Sequence, residues 1–72
     1  MNINQVKAKL EKYEKEINVE ETFKEIEKEL NHYNMSWNNI ICIFTYNSET
    51  SIKFSFLTSP SYNINIIAEK FC

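Results

Sequence analysis

Few residues in this sequence have side chains suited to catalysis, and their positions do not favour it. The single histidine is His32, and the two cysteines are Cys42 and Cys72. Cys42 and His32 formally provide a Cys–His nucleophilic pair. Cys42, however, lies in an apolar stretch where we expect it to pack as a small hydrophobic side chain, and a thiol in such surroundings is unreactive. We therefore expect no catalytic residues.

Metal and cofactor sites are equally unexpected. One histidine and two distant cysteines do not supply the four ligands of a usual zinc site. The chain has no glycine, which excludes the Gly-rich phosphate loop and the dinucleotide-binding fingerprint. General acid–base catalysis needs two carboxylates held in a cleft, whereas the acidic run lies on one amphipathic helix. The acidic run consists of Glu20, Glu21, Glu25, Glu27 and Glu29.

The charge balance argues against direct nucleic-acid binding. The formal net charge is −2, with ten acidic residues and eight lysines but no arginine. Nucleic-acid-binding proteins usually carry a basic excess and use arginine to contact phosphate and guanine. The acidic run has a different possible use, because carboxylates such as Glu25, Glu27 and Glu29 can imitate a DNA backbone toward a basic groove. Lys24 and Lys28 interrupt that run.

Nothing in the sequence suggests a membrane or secretory protein. No stretch approaches the ~20 apolar residues that cross a bilayer. The first residues are charged and amphipathic, unlike a signal peptide. Two cysteines make a poor disulfide framework, so we expect Cys42 and Cys72 to be reduced thiols and the protein to be cytoplasmic.

Two apolar stripes at helical spacing predict two N-terminal helices. The first stripe is Ile3, Val6, Leu10, Tyr13 and Ile17, and the second is Val19, Phe23, Ile26, Leu30 and Tyr33. Asn18 stands between the stripes with Glu21 three residues later, a pattern typical of a helix N-cap. The second helix should end near residues 31–34, where asparagine replaces glycine in a left-handed stop.

Alternation with period two predicts three strands, at about residues 37–46, 50–58 and 62–69. A first turn of three or five residues would set Phe44 against Ile52 or Phe54. A second turn at residues 59–61 would pair Phe56 with Ile64 and Phe54 with Ile66. The predicted inner face of the sheet consists of Ile40, Cys42, Phe44, Ile52, Phe54, Phe56, Ile64 and Ile66.

The expected architecture is a single α+β domain over residues 1–72, with two N-terminal helices packed on one face of a three-stranded antiparallel β-meander (ααβββ). The first strand is apolar on both sides, because Ile41 and Ile43 fall on its second face. Leu57 and Ile67 should share that open face with Lys53. Exposed apolar surface on a small domain often marks a contact site. Alternatively, the first helix, Trp37 or Phe71 covers that face, or two copies associate through it about a twofold axis.

The short chain, its acidic charge and its lack of a catalytic set are similar to small phage-encoded inhibitors of host defence, including anti-CRISPR proteins. They are equally similar to antitoxin and toxin-immunity proteins. The likeness covers size and composition only. It implies a non-catalytic inhibitor that sterically blocks a larger protein, either a host defence enzyme or a toxin. A homodimeric structural or regulatory module and an acidic DNA mimic are the alternatives. The candidate partner-binding residues are Ile41, Ile43, Lys53, Leu57, Ile67, Glu25, Glu27 and Glu29.

Overall fold

The computed structural model describes residues 1–71 and confirms the predicted arrangement of two helices followed by a three-stranded antiparallel sheet. The elements are α1 (Ile3–Glu11), α2 (Val19–His32), a 3-10 turn (Trp37–Asn39), β1 (Ile40–Asn47), β2 (Ser51–Thr58) and β3 (Asn63–Glu69). The strand order is β1-β2-β3, so β1 and β3 are the two edges. The prediction for Cys72 lies outside the described residues. No helix among residues 1–71 has the length and apolar character needed to cross a membrane.

Helix α1 is shorter than its apolar stripe predicts. Asn2 caps it by accepting a hydrogen bond from the Gln5 amide at 2.9 Å, and the Gln5 side chain bonds the Asn2 amide in return. The helix ends at Glu11, and the chain continues through tighter turns such as the bond from the Tyr13 amide to the Leu10 carbonyl. These turns reverse the chain before Asn18, and Ile17 still reaches the core.

Helix α2 begins and ends where the asparagines predict. The Asn18 side chain accepts a hydrogen bond from the Glu21 amide at 3.0 Å, which satisfies one of the free N–H groups of the first turn. At the other end, Asn34 adopts a left-handed backbone with φ of 57°. The Met35 amide then bonds the Leu30 carbonyl at 2.8 Å, which is the Schellman pattern. Asparagine takes this position in a chain that has no glycine.

The pairing of β2 with β3 also follows the prediction. Phe56 lies opposite Ile64, and Phe54 lies opposite Ile66. Burial alternates along both strands, because one row of each faces the helices. The intervening turn includes a cis peptide between Ser59 and Pro60.

The predicted register of β1 is wrong. Phe44 lies opposite Ser55 instead of Ile52 or Phe54, while Ile43 lies opposite Phe56. The cause is the length of the first turn, where four residues separate the last pair, Asn47 and Ile52. The Ser48 hydroxyl holds this turn by accepting from the Ser51 amide at 3.1 Å and donating to the Ser51 carbonyl at 2.9 Å. An even number of residues reverses the faces of the incoming strand.

A β-bulge at Ile41 reverses the faces again at the start of β1. Ile40 lies opposite Thr58 and Cys42 lies opposite Leu57, which leaves Ile41 as the extra residue. Ile40 is therefore buried on the helix side, as predicted. Cys42 and Phe44 lie on the opposite side, so their assignment to the inner face is wrong. Ile43 lies on the helix side and packs against the core, so its assignment to the open face is also wrong.

The core lies between the two helices and the inner face of the sheet. Its buried side chains are Val6, Leu10, Ile17, Ile26, Leu30, Met35, Ile40, Ile52, Phe54, Phe56, Ile64, Ile66 and Ala68. The Tyr13 ring meets Phe54 edge-on with centroids 5.9 Å apart, and Trp37 stacks on Phe23 of α2 at 4.5 Å. The backbone amide of Phe71 bonds the Glu16 carbonyl at 2.8 Å. Trp37 is therefore engaged with the helical layer, and the alternative in which Trp37 covers the other face of the sheet is wrong. Phe71 is 60% exposed.

Candidate functional site

The face of the sheet that points away from the helices is not covered by any of residues 1–71, and we call it the open face. Four large side chains on it are more than half exposed: Ile41 (56%), Phe44 (52%), Tyr46 (56%) and Ile67 (58%). The remaining members are Cys42, Ser51, Lys53, Ser55, Leu57, Asn63, Asn65 and Glu69. Leu57 and Cys42 are half-buried by their neighbours. Apolar groups thus make up much of one continuous surface.

Cross-strand pairing arranges most of the open face in three rows, beyond which Ser51 of β2 pairs with Glu69 of β3. The first row is Tyr46, Lys53 and Ile67, the second is Phe44, Ser55 and Asn65, and the third is Cys42, Leu57 and Asn63. The aromatic side chains come from β1, so the apolar character is greatest toward that edge. Small or polar residues of β2 and β3 lie beside them. This mixture of aromatic anchors and polar neighbours is typical of protein–protein interfaces.

Lys53 is the charged group at the centre of the open face. Its ammonium nitrogen lies 5.0 Å from the centroid of the Tyr46 ring, within the range of a cation–π interaction. A cation beside exposed apolar side chains is complementary to a surface that offers a carboxylate within apolar surroundings.

Four of the predicted open-face residues lie where the sequence places them. Ile41, Lys53 and Ile67 are exposed on the open face, and Leu57 is half-buried there. Ile43 is the exception, because the four-residue turn directs it to the helix side. Sequence reasoning missed Phe44 and Tyr46, the two aromatic side chains of the surface. The only feature that could have identified them is the Ser48–Ser51 segment, whose even length decides the register.

The acidic residues of α2 do not form one surface. Glu25 and Glu27 are two residues apart and therefore point about 200° apart around the helix axis. Glu25 lines a groove beside β3, with Glu21 and Glu69, whereas Glu29 is half-buried near the C-terminal end of α2. Lys24 pairs with Glu20 at 3.5 Å and reduces the local charge further. At about 100° per residue, Glu21, Glu25 and Glu29 lie on one side of α2, whereas Glu20 and Glu27 lie on the other side.

His32 and Cys42, the Cys–His pair considered from the sequence, lie in different elements of the fold. His32 is exposed at the end of α2, where its ring contacts Tyr33 edge-on at 5.0 Å, while Cys42 is paired with Leu57 in the sheet. Within residues 1–71, no group of three or more His, Cys, Asp or Glu side chains is placed to hold a metal ion.

Comparisons of this chain with protein-family models, with curated proteins and with solved structures give no match.

Proposed function

We propose that this protein is a small non-catalytic binding domain that uses its open face to cover a surface on a larger protein. The observation that supports the proposal is the exposure of four large apolar side chains on one face of a three-stranded sheet. Contiguous apolar surface of this kind is unfavourable in water and is usually retained for contact with another molecule. Phe44 and Tyr46 supply the aromatic anchors that commonly dominate binding energy at interfaces.

The side chains of the open face indicate which properties the partner surface should have. It should be apolar at its centre, so that it can bury Phe44 and Ile67, and it should present a carboxylate to Lys53. The polar groups of Ser55 and Asn65 require hydrogen-bonding groups nearby, because burying them without partners is costly. Binding at such a surface blocks whatever else the partner would contact there. Inhibition by steric occupancy is therefore the mechanism we propose, with a host defence enzyme or a toxin as the class of target.

The proposal is tested by differential capture. The protein and an Ile67→Asp variant are immobilised and exposed to lysate of the host cell, with Ser61→Asp as the control because Ser61 is also exposed but lies in the β2–β3 turn. Proteins retained by the wild type and by the control, but not by Ile67→Asp, are then purified and titrated directly. We expect Ile67→Asp to weaken that binding by at least about 30-fold, which corresponds to a hot spot of about 2 kcal/mol. Equal affinity of the three proteins would contradict the proposal.

The acidic alternative is tested in the same titration. A triple variant carrying Glu25→Lys, Glu27→Lys and Glu29→Lys reverses the charge of α2 without touching the open face. We expect it to retain affinity within a few-fold of the wild type, because the proposed contact surface is the open face of the sheet and not α2. Loss of binding in this variant, with retention by Ile67→Asp, would favour DNA mimicry instead.

A further inference from the structure

The outer edge of β1 is an unprotected strand edge. β1 pairs with β2 on one side only, and no backbone group of residues 42–47 forms a hydrogen bond outside that ladder among residues 1–71. The N-terminal end of the edge is closed, because the Met1 ammonium donates to the Ile40 carbonyl and the bulge at Ile41 interrupts the strand. The free edge therefore runs along residues 42–47. Its outward N–H and C=O groups are positioned to pair with another strand.

The sequence of this edge lacks the usual devices that prevent strand addition. Natural edges are commonly protected by lysine, by proline or by inward-pointing charges. Residues 38–48, NNIICIFTYNS, contain no charged residue and no proline. The only protective device is the bulge, which lies before the free segment. Aromatic and β-branched residues also make residues 42–47 a strong strand former.

The second edge of the sheet differs in charge. A groove runs beside the end of β3, and its lining includes Glu21 and Glu25 of α2, Glu69 of β3 and Lys70. A strand that adds to the β3 edge would lie near these charged residues. At β1, by contrast, two identical strands meet without any charge. The β1 edge is therefore the one at which two copies of this chain can pair without like-charge repulsion.

We propose that two copies associate through their β1 edges, antiparallel and about a twofold axis at Thr45. This register places Phe44 opposite Tyr46 of the partner subunit, and the symmetry repeats the pair. Aromatic pairs directly opposite one another stabilise antiparallel strands. The two sheets become one sheet of six strands, and the two open faces become one continuous surface. The dimer stands independently of the proposed function, although it would present two partner-binding faces side by side.

The first test is sedimentation of the purified full chain as a function of concentration. An edge contact buries less than the ~800 Å² per partner of a standard interface, so the dimer should form in the micromolar range, and about 1 to 500 µM should be covered. Thr45→Lys places like charges directly opposite across the axis and should raise the dissociation constant at least about tenfold. Asn65→Lys adds the same charge on β3 and should leave it unchanged. A wild type that stays monomeric throughout, or two variants that behave alike, would overturn the proposal.

The second test reports on register and does not depend on a charged variant. In a Cys42→Ser, Cys72→Ser background, Thr45→Cys places two thiols opposite each other, where the Cα separation of paired antiparallel strands suits a disulfide. Mild oxidation should give a cross-linked dimer rapidly. Asn65→Cys in the same background should cross-link no faster than random collision allows. Equal rates for the two variants would exclude this register. If no dimer forms but the protein still captures a partner through the open face, this inference alone is overturned. If the dimer forms but no partner is captured through the open face, the proposed function alone is overturned.

Discussion

The register of β1 determines which side chains form the open face, and a pair of matched substitutions tests it. Ile43→Asp and Phe44→Asp place the same carboxylate at adjacent positions of one strand. In the structure, Ile43 packs against the core, whereas the Phe44 side chain is 52% exposed on the open face. We expect both variants to be destabilised, and Ile43→Asp to be destabilised more than Phe44→Asp.

The magnitudes follow from burial. A phenylalanine has roughly 200 Å² of surface, about half of which is buried at Phe44, so the loss is at most about 2.5 kcal/mol at ~25 cal/mol per Å² and closer to 2 with a realistic unfolded chain. At Ile43, the loss of packing lowers the free energy of unfolding by about 1–2 kcal/mol. Placing a carboxylate against apolar groups lowers it by a further amount of about 1–3 kcal/mol or more. A chain of this length has about 4–11 kcal/mol of total stability. The Ile43 substitution, at about 2–5 kcal/mol or more, is therefore expected to remove more of that stability than the Phe44 substitution, at about 2 kcal/mol.

The assay is urea unfolding, followed by far-ultraviolet circular dichroism for the helices and by Trp37 fluorescence for the packing against Phe23. Asn47→Asp is the control, because Asn47 is exposed on the same strand and the change adds charge with almost no change in shape. We expect the midpoints to fall in the order Asn47→Asp, Phe44→Asp, Ile43→Asp. A folded Ile43→Asp together with an unfolded Phe44→Asp would place the aromatic row in the core. That result would refute the register and remove the aromatic anchors from the open face.

Three further substitutions test the local structure, each by its urea midpoint. Asn34→Ala should destabilise by about 1–2 kcal/mol because alanine tolerates the left-handed backbone poorly, whereas Asn34→Gly should be at least as stable as the wild type. Asn18→Ala should cost about 1 kcal/mol by removing the cap of α2, whereas Asn38→Ala, at an exposed position of the 3-10 turn, should cost little. Thr58→Val should cost about 1–2 kcal/mol, because the Thr58 hydroxyl, fully buried with its residue, accepts from the Tyr62 amide at 3.1 Å. No change in midpoint for any of the three would contradict the corresponding local contact.

The sequence predicted the parts of the fold in which the residue pattern is compatible with only one local structure. β2 and β3 are apolar mainly on one face, with a single large apolar residue on the other face of each (Leu57 and Ile67), so their pairing at Phe56 and Ile64 followed from alternation. The cap at Asn18 and the stop at Asn34 followed from the side-chain chemistry of asparagine. In each case the local preference and the position of the core agree, which is the condition under which sequence patterns are most informative.

Alternation could not decide β1, because isoleucine and aromatic residues occupy both of its rows. Its register depends instead on hydrogen bonds of the Ser48 hydroxyl within a four-residue turn and on an extra residue at Ile41. Neither the turn nor the bulge produces a periodic hydrophobic pattern in the sequence. The end of α1 was missed for a related reason, since Tyr13 and Ile17 keep the helical spacing while the chain between them turns more tightly.

The exposure of the C-terminal half of β1 is a consequence of the helical layer and not only of the register. On the helix side, Ile43 is partly covered, but Thr45 and Asn47 are exposed, as are Phe44 and Tyr46 on the open face. The helical layer therefore leaves residues 44–47 of β1 less covered than β2, whose Ile52 and Phe54 pair with Asn47 and Thr45 and are fully buried. In our proposals, contact with another polypeptide removes the two aromatic side chains from water. A partner on the open face covers their rings, and a second copy on the free edge satisfies their backbone, so both proposals depend on the same projecting strand and differ in the surface that is occupied.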